Sequence, residues 1–119
     1  MFDWRKYYTL AQCLIGEGDE FDLEAGFRCA TSRAYYSSFC YSRNFAQNKL
    51  RYMPSRDYSD HESLRRHLSS HNLDNISRKL DRLRQWRNSC DYDNEVANLD
   101  TITRTALKEA NYILQCLRQ

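Results

Sequence analysis

The residues of this chain best suited to chemistry lie close together: Arg84, Arg87, Asn88, Asp91 and Tyr92. Upstream of them Leu73, Ile76, Leu80 and Leu83 recur at 3-4-3 spacing, which marks one face of an α-helix. The next position on that face is 87, where a guanidinium stands in place of an apolar group. An arginine on a buried stripe costs roughly several kcal/mol to desolvate unless a carboxylate answers it. Asp91 follows one turn later, within reach of such a pair. The spacing therefore predicts a largely buried Arg87, paired with Asp91 or with a tyrosine of another helix. Such a cluster is either a structural ion pair or a site for anions, because arginine offers planar, bidentate donors to carboxylates and phosphates.

Other chemistries find less support. His67 and His71 stand at i, i+4, a spacing that can place two imidazoles on one metal. No third ligand is in register nearby, so the pair reads as solvated and no metal site is expected. His61 also lies outside the Arg87 segment. The serines lack a nucleophile elbow, and no Gly-rich loop is present to cradle a nucleotide phosphate. No cofactor is expected.

These residues need helices to hold them. Only three Gly and one Pro argue for long helices and few turns. The first segment runs roughly from Asp3 to Ile15 and ends at Gly16 and Gly18, followed by an acidic loop from Glu17 to Asp22. The second, roughly Leu23 to Leu50, carries Phe27, Ala30, Ala34, Ser38, Tyr41 and Phe45 on one face, and its small residues admit a close neighbour. Pro54, with Ser, Asp and Tyr around it, marks a loop. Asp60 is placed to cap a short third helix reaching about Ser70. The fourth runs from about Leu73 to Cys90. The fifth starts near Asn94 or Asn98, with Leu99, Ile102, Ala106, Ala110, Ile113 and Leu117 on one stripe. No stretch alternates with period two. The expected fold is all-α: one domain over residues 1–119, an antiparallel bundle of four main helices plus one short helix.

Bulk properties narrow the class. Hydrophobic content of 41% and charged content of 29% are ordinary for a soluble globular protein. A net charge of +2 does not by itself mark a nucleic-acid binder, but 14 of the 18 basic residues are Arg. Arg65, Arg66, Arg78, Lys79, Arg82, Arg84 and Arg87 crowd the third and fourth helices, while acids gather at Glu17–Glu24 and Asp91–Asp100. A basic face beside tyrosines suits an RNA backbone or an acidic protein partner. No apolar run reaches about 18 residues, and the N-terminus lacks a signal-peptide apolar region. The five cysteines form no C-x-x-C pair and read as small buried apolar residues of a reduced protein. No membrane association is expected, and the expected location is the cytoplasm.

The second helix also carries Ser32-Arg33-Ala34-Tyr35-Tyr36-Ser37-Ser38-Phe39. Ser32, Arg33, Tyr35, Tyr36 and Phe39, taken with the later string Leu83 to Asp93, resemble the two motifs of the HEPN superfamily of prokaryotic helical bundles. The resemblance spans roughly residues 5 to 117. The family's ribonucleases work without metal, pairing an Arg with a His about four to six residues later: the His moves protons and the Arg stabilises phosphate charge. Here positions 88 to 93 hold Asn, Ser, Cys, Asp, Tyr and Asp. With pKa values of about 10 and 3.9, Tyr and Asp are poor proton carriers at neutral pH. The resemblance thus implies a non-catalytic binding module of a toxin–antitoxin or defence system, contacting RNA or a partner protein through Arg33, Tyr36, Arg84, Arg87, Asp91 and Tyr92. It also implies a homodimer with the two Arg87 clusters facing each other, and a neighbouring nucleotidyltransferase-type partner. The alternative is a metal-independent endoribonuclease with an altered catalytic set at Arg87, Asn88 and Tyr92.

Overall fold

A helix can be covered on every side only where its side chains let neighbours approach, and the middle of Leu23–Lys49 meets that condition. Ala30, Thr31, Ser32, Ala34, Tyr35, Ser37, Ser38, Phe39, Cys40 and Ser42 are all buried. In the computed structural model, which describes residues 1–16 and 22–118, this helix is the second of five. The five are α1 (Arg5–Leu14), α2 (Leu23–Lys49), α3 (Asp60–Ser70), α4 (Asp74–Tyr92) and α5 (Leu99–Cys116). No strand occurs among the described residues. Gly18 and most of the acidic loop expected after α1 lie outside them.

α2 packs against α1, α3, α4 and α5 in turn. One core joins Tyr35 and Phe39 of α2 to Leu64 and Leu68 of α3, Ile76, Leu80 and Leu83 of α4, and Ile113 of α5. Each such leucine, fully buried, contributes roughly 1.5–3 kcal/mol. A second cluster, Ala11, Ala30, Ala34, Leu107 and Ala110, seats α1 and α5 on α2 through side chains no larger than leucine. Within that seam the hydroxyls of Thr31 and Thr103 are 2.9 Å apart, and both donate to the Phe27 carbonyl. Among the described residues no helix is long and apolar enough to cross a membrane.

The helix ends show where the sequence spacing sufficed. Asp22 caps α2, its carboxylate accepting from the Ala25 N–H at 3.0 Å. α4 runs to Tyr92, two residues past the expected Cys90, and Arg28 of α2 holds its end. That guanidinium donates to the carbonyls of Cys90 (3.0 Å), Asp93 (2.6 Å) and Asn94 (3.1 Å). α5 starts at Leu99 behind Asn98, which takes the left-handed conformation (φ 57°) that Asn tolerates better than most residues. Asp60 does not cap α3. It is the first residue of the helix, and its buried carboxylate accepts instead from the Tyr52 hydroxyl. Asp57 secures the turn before it, accepting from the backbone N–H of Ser59 at 2.9 Å. The cysteines also depart from expectation: Cys40 and Cys90 are buried, but Cys13, Cys29 and Cys116 lie on outward helix faces and are exposed.

Candidate functional site

Ile76, Leu80 and Leu83 anchor α4 on the core and deliver Arg87 to α2 on the same face. The Arg87 side chain keeps only 19% of its exposure. Its guanidinium lies 5.0 Å from the centroid of the Tyr36 ring and 5.4 Å from that of Tyr92, within cation–π range. Arg87 Nε stands 2.9 Å from Asp91 Oδ2. Its N–H is not directed at that oxygen, so the contact is an ion pair without a hydrogen bond. Nη1 donates to Asn88 Oδ1 at 2.8 Å. The same Asp91 oxygen accepts from the Ser32 hydroxyl at 3.1 Å, and Ser32 in turn accepts from Arg33 at 3.3 Å. Arg33 lies over both Tyr7 (4.8 Å) and Tyr36 (5.2 Å). Tyr36 therefore meets two guanidinium groups.

Beside this chain of contacts is an open cavity of about 420 Å³, lined by Tyr58, Ser59, His61, Glu62, Arg65, Arg84, Arg87 and Asn88. Arg65 and Arg84 share one carboxylate: Asp81 Oδ1 is 3.6 Å from the first and 2.9 Å from the second. Burial pushes the Asp81 pKa up, but the Arg84 hydrogen bonds and the Arg65 charge outweigh it and hold the carboxyl below its usual range. Glu62 is engaged by Arg66 at 2.9 Å. Three arginines thus converge on a cavity whose nearest carboxylates are already shared or paired, which suits it to an added anion.

His61 is the correction to the sequence reading. It does not lie apart from the Arg87 cluster, because the first turn of α3 folds back against α2 and α4. Its ring stacks on Phe39, with centroids 4.2 Å apart and planes within 13°. Its Nδ1 is hydrogen-bonded to the Tyr35 hydroxyl. Burial lowers the His61 pKa, the Arg87 charge lowers it further, and Asp60 opposes both without prevailing. Tyr35 is pushed the other way by burial and keeps its proton. The site thus holds an imidazole that is neutral near pH 7 beside three fixed cations.

The expected residues separate clearly in space. Arg33, Tyr36, Arg87, Asp91 and Tyr92 form one contiguous set, although Tyr92 stays 72% exposed. Arg84 and Asn88 join Arg87 at the cavity. Helical spacing marks neither His61 nor Tyr35 as a neighbour of Arg87, and Arg65 stands out in the sequence only as part of a basic face. His67 is half-buried rather than simply solvated, whereas His71 is exposed. His67 donates from Nε2 to the Leu50 carbonyl at 2.6 Å, and His71 Nδ1 lies 3.0 Å from the His67 carbonyl. No family model, no curated protein and no solved structure matches this chain.

Proposed function

We propose that this chain is a helical RNA-binding module whose cavity takes a phosphate group of single-stranded RNA. One observation carries the reading: Arg65, Arg84 and Arg87, from two different helices, converge on a single open cavity. Tyr36 lies within cation–π range of both Arg33 and Arg87 and so braces the guanidinium that faces the cavity. The HEPN resemblance supports the same reading. With it go an antiparallel arrangement of the four main helices, a homodimer, a cytoplasmic setting, and a place beside a nucleotidyltransferase-type protein in a toxin–antitoxin or defence system. The test is fluorescence anisotropy of a labelled single-stranded RNA across a salt series. Binding that weakens steeply with salt, and weakens again in Arg84→Ala, supports the reading. An RNA affinity unchanged by Arg84→Ala sinks it.

His61 favours a second reading, a metal-independent endoribonuclease. The set of Arg87, Asn88 and Tyr92 has no imidazole of its own, and His61 brings one to the same cavity. In the tautomer that donates Nδ1–H to Tyr35, Nε2 keeps a lone pair and can take the proton of a ribose 2′-hydroxyl. The 2′-oxygen then bonds to phosphorus and the P–O5′ bond breaks, with water protonating the leaving oxygen. The products are a 2′,3′-cyclic phosphate and a 5′-hydroxyl end, with phosphate charge stabilised by the arginines. RNA incubated with the protein in EDTA decides between the readings. Intact RNA keeps the binding module. Cleavage that disappears in both Arg87→Ala and His61→Ala replaces it with the nuclease.

A further inference from the structure

His61 lines two cavities. On its other side is a larger one of about 640 Å³, between α2 and the segment leading into α3. That volume is in the usual range of roughly 300–1,000 Å³ for small-ligand sites. Its walls differ from those of the arginine cavity. Tyr36, Phe39, Arg43, Asn44 and Gln47 recur at helical spacing along one face of α2 and line it together. Its two carboxylates are committed: Asp57 accepts from the hydroxyls of Ser55 and Ser59, and Asp60 from that of Tyr52. Its amides are available. Asn44 makes a long 3.9 Å contact from Nδ2 to the Met1 sulfur, and Gln47 is exposed at the rim. A carboxamide presents a donor and an acceptor side by side, the pattern that pairs with a nucleobase edge.

We infer that this second cavity is a nucleobase subsite. One nucleotide of a single-stranded RNA places its phosphate among Arg65, Arg84 and Arg87 and its base across His61, beside Tyr36, against the Asn44 and Gln47 amides. The inference rests on the RNA reading above and adds where the base goes and which groups read it. The alternating phosphate and base of a single strand match two adjoining cavities, one walled by three arginines and one in which Arg43 and Arg56 stand among aromatic and amide groups.

The test compares two labelled probes in anisotropy: a ten-nucleotide single-stranded RNA, and an abasic strand of the same length and charge. The wild type binds the base-bearing strand about tenfold more tightly, a difference in the range of one well-read base. In Asn44→Ala/Gln47→Ala that difference collapses to near unity while affinity for the abasic strand is unchanged. Both side chains lie on the outer part of α2, so the fold stands, and an unaltered melting curve checks this. Equal wild-type affinity for the two probes overturns the base subsite alone, as does a preference for the base-bearing strand that survives the double substitution. Failure of the wild type to bind either probe overturns the RNA reading beneath it.

Discussion

Arg87 and Asp91 form an ion pair 2.9 Å long at the end of α4, and neither partner is fully withdrawn from water: 19% and 29% of the two side chains remain exposed. This sets the cost of breaking it. A fully buried pair that loses one partner costs about 3–5 kcal/mol. Here solvent and the Ser32 hydroxyl still serve the Asp91 carboxylate after Arg87→Ala. The expected loss is about 1–2 kcal/mol, between the surface and the buried limits. Urea unfolding at neutral pH measures it.

His61 gives the fold a pH dependence of known sign. Its folded pKa lies below the ordinary value of 6.5, so the unfolded chain binds the proton first as pH falls. The contribution of this group is therefore complete above pH 6.5 and is lost progressively below it. Unfolding free energies measured between neutral and mildly acidic pH should fall, and His61→Gln should flatten that slope. An unchanged slope in the variant would place the titration elsewhere.

The salt dependence of RNA binding reports how many phosphates are neutralised. One phosphate held among Arg65, Arg84 and Arg87 contributes about −0.7 to the log–log slope. Arg65→Ala and Arg84→Ala should each diminish that contribution. Arg118→Ala, at an exposed position beyond the last helix, should not.

Arg28 offers a test of how the site end of α4 is held. Its three bonds to the carbonyls of Cys90, Asp93 and Asn94 have no replacement in Arg28→Ala. Hydrogen bonds to a charged group are worth about 1.5–3 kcal/mol, and shared over one side chain the total loss should be about 2–3 kcal/mol. Amide exchange should quicken first at residues 90–98.

A symmetric homodimer is expected from the resemblance and from the prevalence of closed two-fold assemblies. Light scattering at micromolar concentration should return twice the chain mass of 14.3 kDa. A monomer mass would remove the facing Arg87 clusters from the reading.

Much of this was legible along the chain, and the exceptions have a common cause. The stripe Ile76, Leu80, Leu83 pointed at Arg87 because all four positions belong to one helix, where spacing fixes direction. The small residues of α2 announced a close neighbour for the same reason. His61 was not legible beside Arg87, since its place depends on how residues 51–59 turn. Two of those residues, Arg51 (φ 58°) and Arg56 (φ 63°), adopt a left-handed backbone that glycine or asparagine ordinarily signals. Arginine gives no such signal. The turns at Asn72 (φ 64°) and Asn98 (φ 57°), by contrast, use the residue type that tolerates this conformation, and the helices that follow begin at Asp74 and Leu99, close to where the sequence spacing puts them.

The position of α2 at the centre also governs the order in which the protein can be made. Thr31 waits for Thr103, a partner that leaves the ribosome 72 residues later. Until then the face of α2 that α5 will cover stays open, although α1, α3 and α4 precede it. At about 5–20 residues per second, that interval lasts several seconds. One face of α2 thus stays uncovered until α5 has emerged, and only then can the core that includes Ile113 close.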